Sequence, residues 1–333
     1  MNKHLVIGSG SIARRHIVNL RALFPAAEIS CASASGRTLG INETAADHHF
    51  SRVDDALRWG PDMAIVASPA PFHLEHALAC LRQGIPILIE KPLTDSFASF
   101  KKHAAELASY SAFLEVGYNL RYLPSATRMK ELIDQGTIGK LRSISIDLGQ
   151  YLPDWRPQDD YRKGVSANQT LGGGVLLELS HEFDYLSWIF GKFDSVYGIL
   201  SNSGALEIDV EDRADILLSR VDGLVAHLHL DFLQRRATRR CKVVGENGNL
   251  VWDLLANNIS LEVKDSVSHL FEDTSFDRNQ MYQKQLLHLV AVAEGNALPM
   301  VGLENAAYTL KMIEAIRTSA ELKRPIPLQG LEK

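Results

Sequence analysis

Cysteine is scarce in this chain. Cys31, Cys80 and Cys241 lie far apart and never form a CxxC pair. That argues against a disulfide framework and, with no histidine cluster at ligand spacing, against a metal site. No apolar run approaches the ~18 residues of a membrane span, and the run in the opening MNKHLVIGSG is too short for a signal peptide. Neither sign of charge dominates: 35 Lys and Arg against 40 Asp and Glu leave a formal net charge of -5. Such a balance is too mild for a nucleic-acid or membrane-surface role of the whole chain. Internal repeats and low-complexity tracts are missing as well. These absences predict a cytoplasmic protein whose partners include no nucleic acid, no membrane and no metal. What is present is a chain of 333 residues, 46% hydrophobic and 23% charged, which suits a globular protein of two domains.

Residues 1–118 alternate short apolar runs with helix-like segments, the pattern of a parallel α/β sheet. Strands are expected at 3–8, 28–33, 62–68, 85–90 and 112–117. Each is rich in Val, Ile, Leu or Ala with little polar alternation, as strands covered on both faces should be. Between two of them, over 72–83, Leu74, Ala77, Leu78 and Leu81 fall on one helical stripe, and Gly84 reads as the C-terminal cap. After Tyr118 the rhythm changes. A helix over 125–135 precedes a strand over 141–150, a loop over 151–174 and a helix over 177–190. Alternating strands then run from about 196 to 263, broken by the turn signals Val221-Asp222-Gly223 and Glu246-Asn247-Gly248, which predicts an antiparallel sheet. Helices over 278–294 and 303–322 close the chain.

The first strand leads into GSGSIARRH, residues 8–16, where Gly8, Gly10 and Ala13 match G-x-G-x-x-G/A. Gly8 permits the tight turn, Gly10 lets a pyrophosphate approach the backbone, and Ala13 keeps the helix close to the sheet. The helix start at Ser11, Ile12 and Ala13 offers free N–H groups and a partial positive charge to phosphates. A dinucleotide is the expected cofactor. The second strand runs into CASASGRTLG, residues 31–40, where an NAD site would carry an Asp or Glu for the ribose 2′-hydroxyl. Ser33, Ser35 and Arg37 stand there instead, a set suited to a 2′-phosphate. NADP is therefore expected, with NAD as the alternative.

The stretch ILIEKPL, residues 87–93, takes a buried strand straight onto a charged pair. Ligands of an open parallel sheet bind outside the carboxyl ends of its strands, so Glu90 and Lys91 face that crevice. Pro92 fixes the turn, and its preceding bond can be cis. Ser68 and His73, after the third expected strand, and Tyr118, Asn119 and Arg121, after the fifth, reach the same sheet edge. On a helix over 178–190, Leu179, Phe183, Leu186 and Phe190 form a packed side, while Glu178, His181, Asp184, Tyr185 and Trp188 lie opposite. His181 is then a proton carrier with carboxylates at hand to orient its ring. In the loop, Trp155, Arg156, Tyr161, Arg162 and Lys163 suit a sugar ring bearing a carboxylate or phosphate. The basic run Arg235, Arg236, Arg239 and Arg240 reads as a sheet edge or subunit contact.

Taken in order, the GxGxxA turn, VASPAPFHLEHALACLRQGIPILIEKPL, VGYNLRYLPS and GGGVLLELSHEFDYL resemble the glucose–fructose oxidoreductase/inositol dehydrogenase (Gfo/Idh/MocA) family over essentially the whole chain. The resemblance implies a doubly wound Rossmann domain over 1–118, binding NAD(P). Over 119–333 it implies an α+β domain, its sheet open and largely antiparallel, for substrate binding and for a homodimer or homotetramer. It also implies hydride transfer between nicotinamide and a secondary alcohol or ketone of a sugar, sugar derivative or sugar nucleotide. Lys91 would be catalytic, positioned by Glu90 and Pro92, with His181 taking the hydroxyl proton. Family members commonly show Asp-x-Gly-x-His with a further Asp three residues on. Here Glu178-Leu179-Ser180-His181 is one residue shorter, and Asp184 keeps its spacing. Substrate contacts are expected from Lys91, Tyr118, Asn119, Arg121, Trp155, Arg162, Glu178 and His181. The alternatives are a reductase of another carbonyl or of an imine, and a non-catalytic nucleotide-sensing protein on the same fold.

Overall fold

Branched apolar runs open the chain, and they become strands covered from both sides. In the computed structural model, which describes residues 1–40 and 42–329, the first sheet contains β1 (Lys3–Ile7), β2 (Glu28–Ala32), β3 (His48–Phe50), β4 (Met63–Val66), β5 (Ile87–Ile89) and β6 (Leu114–Val116). Their order is β3-β2-β1-β4-β5-β6, and all pairings are parallel. Helices α1 (Ser11–Leu23), α2 (Val53–Arg58), α3 (His73–Leu81) and α4 (Phe97–Ser109) lie between the strands in the chain. Alternate residues of one strand serve opposite faces. Thus Leu5, Ile7, Ala64, Val66, Ile87 and Ile89 join one apolar cluster, while Val6, Met63, Ile65 and Leu88 join the other. Strand order reverses at β1, which makes the β1–β4 boundary the topological switch point where such sheets take ligands.

The second sheet follows α5 (Pro124–Asp134) with β7 (Leu141–Gly149). Next come α6 (Val175–Glu178), α7 (His181–Phe190), β8 (Ser195–Ser201), β9 (Arg213–Ser219), β10 (Val225–Asp231), β11 (Thr238–Gly245), β12 (Asn249–Asp253), β13 (Asn258–Val263) and β14 (Ser266–Glu272). Antiparallel pairing dominates, with β7 and β10 the parallel pair. One face is dry: Ile144, Ile146, Ala226, Leu228, Ile216, Leu218, Cys241, Val243 and Trp252 are buried. Tyr185 of α7 meets the Trp252 ring edge-on at 5.2 Å, and the Trp252 indole N–H donates to the Ser125 hydroxyl of α5 at 2.9 Å. The opposite face, with Ile199, Leu217 and His227, is exposed.

The chain closes with α8 (Asn279–Ala293), α9 (Leu303–Leu322) and β15 (Ile326–Pro327), which pairs with β8. Two compact units result. Met1–Asn119 groups with Arg278–Leu310, and Leu120–Asp277 groups with the described residues from Lys311 onward. The sequence reading assigns everything after 118 to one domain, so 278–310 differ. The physical reason is apolar matching: Leu286 and Leu289 of α8 fill the cluster that holds Ile17 and Leu20 of α1. A long-range pairing of that kind leaves no mark in a linear reading. Among the described residues, no helix is long and apolar enough to cross a membrane.

Candidate active site

The glycine turn between β1 and α1 is shaped by what its residues lack. Gly8 has φ +120, and a Cβ there would stand 2.5 Å from the Ala67 carbonyl oxygen, so only glycine fits. At Gly10 an added Cβ would meet nothing within 4 Å. Gly10 caps α1 without a side-chain hydrogen bond, and the first turn holds no acidic residue. The N–H groups at Ser11, Ile12 and Ala13 therefore face an open approach with a positive helix end behind them, which fits a pyrophosphate. Ala13 is fully buried against the sheet, as the fingerprint requires.

At the end of β2 the structure uses the expected residues differently from one another. Ser33 is buried, and its hydroxyl accepts the Arg37 backbone N–H at 3.1 Å. It shapes the turn and does not point outward. Arg37 is exposed and reaches back to the Ser9 hydroxyl at 2.9 Å, between the two glycines. Its guanidinium also grips Glu43, with one contact of 2.8 Å and a second, shorter one. That pairing holds the Glu43 carboxyl down at about 2. Sequence reasoning passed over Glu43, which lies 10 residues beyond Ser33 in a stretch without periodicity.

The turn after β5 is built from buried charge. The Lys91–Pro92 bond is cis. Glu90 is 7% exposed. Its Oε1 lies 2.6 Å from Nε2 of His16 on α1, and its Oε2 accepts the Lys91 backbone N–H at 3.2 Å. Burial opposes the charged form, but His16 and Lys91 hold the Glu90 carboxyl below its usual range. Gly117 leaves room for this arrangement, since a Cβ there would stand 3.1 Å from Glu90 Oε2. His16 was missed by sequence reasoning. The available signal was a histidine at the 3.6-residue spacing of Ala13, Ile17 and Leu20, all of them buried. Lys91 itself is half-buried.

His73 lies under this turn. It is 1% exposed, with Nδ1 2.8 Å from the Pro92 carbonyl and Nε2 2.7 Å from the Ser68 carbonyl. Burial pushes its pKa down against the pull of those oxygens. The Ser68 hydroxyl lies 3.0 Å from His76 Nδ1. Ser68 and His73 thus brace the end of β4 against Pro92. Tyr118 and Asn119 are also buried.

In the second unit the helix expected over 178–190 is broken at Leu179-Ser180 into α6 and α7. Glu178 therefore does not share a helix with His181, which begins α7 half-buried. The Ser166 hydroxyl donates to Glu178 Oε2 at 3.0 Å. The expected polar face also needs correction. Asp184 and Tyr185 are buried, at 1% and 0% exposure. Asp184 is buried because Arg121 comes to it in a two-pronged ion pair of 3.0 and 2.7 Å. Burial pushes the Asp184 carboxyl up, and Arg121 pulls it back. Arg121 also lies 5.3 Å over the Trp188 ring. Two residues before Asp184, buried Glu182 takes Arg239 of β11 at 2.8 and 3.0 Å. In the loop, Trp155 stands edge-on to Phe232 at 5.4 Å. Arg162 is exposed and pairs with Asp160 at 3.0 Å and Glu207 at 3.1 Å.

Two family models match the chain. Residues 3–118 match the model of an oxidoreductase family with an NAD-binding Rossmann fold, and residues 126–251 match the GFO/IDH/MocA C-terminal domain. The chain is 31% identical over 240 residues to inositol 2-dehydrogenase 2 of Saccharopolyspora erythraea, a match covering 68% of this chain and 65% of that protein. The chain thus spans slightly under two-thirds of that relative's length. With myo-inositol 2-dehydrogenase of Thermotoga maritima the identity is 24%, over 97% of this chain and 98% of the other. A levoglucosan dehydrogenase solved with NADH and L-sorbose shares the fold at a TM-score of 0.84, with 17% identity and 100% coverage of both chains.

Proposed function

Since the chain belongs to the GFO/IDH/MocA oxidoreductase family, we propose that it transfers hydride between a nicotinamide dinucleotide and a secondary alcohol, or the matching ketone, of a cyclic polyol, sugar or sugar derivative. The observation that carries this reading is the turn after β5. Lys91 leaves the carboxyl end of a strand of the switch-point sheet, backed by the buried Glu90–His16 pair. The same unit carries a glycine turn open to a pyrophosphate. Support for the substrate class comes from the Saccharopolyspora and Thermotoga relatives, both named as inositol dehydrogenases.

When bound, the nicotinamide supplies the hydride acceptor or donor. The chain supplies the rest. His181 takes the hydroxyl proton, and the Lys91 ammonium stabilises the oxyanion that develops. Asp184, locked to Arg121, holds the first turn of α7 in place and so positions His181. Glu178 fixes the entry to that helix through Ser166. Trp155 offers an aromatic face to the sugar-type substrate, and Arg162 a cation to any acidic substituent. Arg37, beside Ser9, favours the 2′-phosphate of NADP over NAD. A homodimer or homotetramer forms through the exposed face of the second sheet. The test is a screen of cyclic polyols, sugars and sugar nucleotides with NAD and NADP, read as reduced-nicotinamide absorbance. A signal with at least one substrate is expected; silence across all of them with both cofactors counts against the reading.

A further inference from the structure

We infer that Glu43 sets the choice between the two nicotinamide dinucleotides, by competing with the 2′-phosphate of NADP for the guanidinium of Arg37. This deepens the proposed reading and depends on Arg37 as the 2′-phosphate anchor. The Arg37–Glu43 pair is a built arrangement. Arg37 is pinned at its backbone by the Ser33 hydroxyl at 3.1 Å. Glu43 is pinned twice to Gly40: its N–H donates to the Gly40 carbonyl at 3.0 Å, and its Oε2 accepts the Gly40 N–H at 3.2 Å. The guanidinium bridges outward from there. One Nη reaches the Ser9 hydroxyl inside the glycine turn at 2.9 Å, and both terminal nitrogens hold the Glu43 carboxylate. A charged fork thus stands between the phosphate turn and the end of β2, where the adenosine ribose of a dinucleotide presents its 2′ substituent.

The consequences follow from charge and geometry. A guanidinium binds carboxylate and phosphate through the same planar fork. A 2′-phosphate must therefore displace Glu43 from Arg37, or lie beside a carboxylate that repels it. A 2′-hydroxyl faces neither obstacle, because it carries no charge and leaves Arg37 paired with Glu43. Glu43 thus lowers NADP affinity and leaves NAD affinity nearly untouched. Arg37 alone would make a strict NADP site; the pair makes a site that accepts both.

The experiment is a fluorescence titration of NADPH and NADH into the full chain, in wild type, E43Q, R37A and the double variant. Gln keeps an amide oxygen for the Gly40 N–H, and E43A serves as a second variant if the loop responds to the amide. Removing the charge at 43 is expected to tighten NADPH binding by about 10-fold, with NADH held within about twofold. The E43Q effect should disappear in the R37A background. An NADPH-to-NADH affinity ratio unmoved in both E43Q and E43A overturns the inference. A ratio unmoved in R37A instead overturns the reading of Arg37, so the two failures are told apart.

Discussion

At Asp184 a carboxylate that the sequence places on a polar face lies at 1% exposure. Two hydrogen bonds from Arg121 make that possible. Withdrawing two charges from water costs several kcal/mol, and the pair recovers this only through close two-pronged contact. Removing one partner strands the other. Arg121→Ala is therefore expected to destabilise the protein by ~3–5 kcal/mol, read from urea unfolding, whereas a matched apolar replacement of both residues costs far less. The spread between the two variants is the readable quantity. A similar stranding awaits Glu90 if His16 is lost, since that carboxylate is also buried. Residue identity at such positions was legible in the sequence, but the partner was not. Arg121 and Asp184 are 63 positions apart, and no local spacing joins them.

Strands covered on both faces announced themselves, because β1, β4 and β5 present near-continuous apolar runs. The extra strand β3 did not. It is three half-buried residues, His48-His49-Phe50, with neither alternation nor an apolar run. The break between α6 and α7 was hidden for a related reason. Leu179 and Ser180 are neither Gly nor Pro, and the apolar spacing runs through them undisturbed. The β9–β10 ladder carries a pH-dependent element of its own. His229 stands opposite Asp215 in the antiparallel register and opposite Asp147 in the parallel one. Its Nδ1 lies 2.7 Å from Asp215 and its Nε2 3.0 Å from Asp231. Burial works against the imidazolium, but the two carboxylates raise its pKa above the usual 6.5. A group whose pKa is raised by folding contributes stability below its unfolded value and loses it as pH rises through the folded one. The stability difference between wild type and His229→Gln should be largest below pH 6.5 and should fade above the raised pKa. Melting both proteins across that range checks it; a difference independent of pH contradicts it.

For the molecule as a whole, the exposed face of the second sheet carries large apolar side chains. Ile199 is 52% and Leu217 47% exposed, and Leu217 lies between Tyr197 of β8 and His227 of β10 in register. Apolar groups gathered on an exposed sheet face mark an association surface. Sedimentation should therefore find wild type as a dimer or larger, and Leu217→Lys shifted toward monomer at the same concentration. A monomeric wild type removes that surface from consideration. The assignment of chemistry has a more direct test, at Lys91 and at His181. In single-turnover reduction of bound dinucleotide by the best polyol or sugar from the screen, Lys91→Met and His181→Ala should each slow hydride transfer by ~10²–10⁴, with dinucleotide affinity within about twofold of wild type. Transfer at near-wild-type rates in both variants would contradict it.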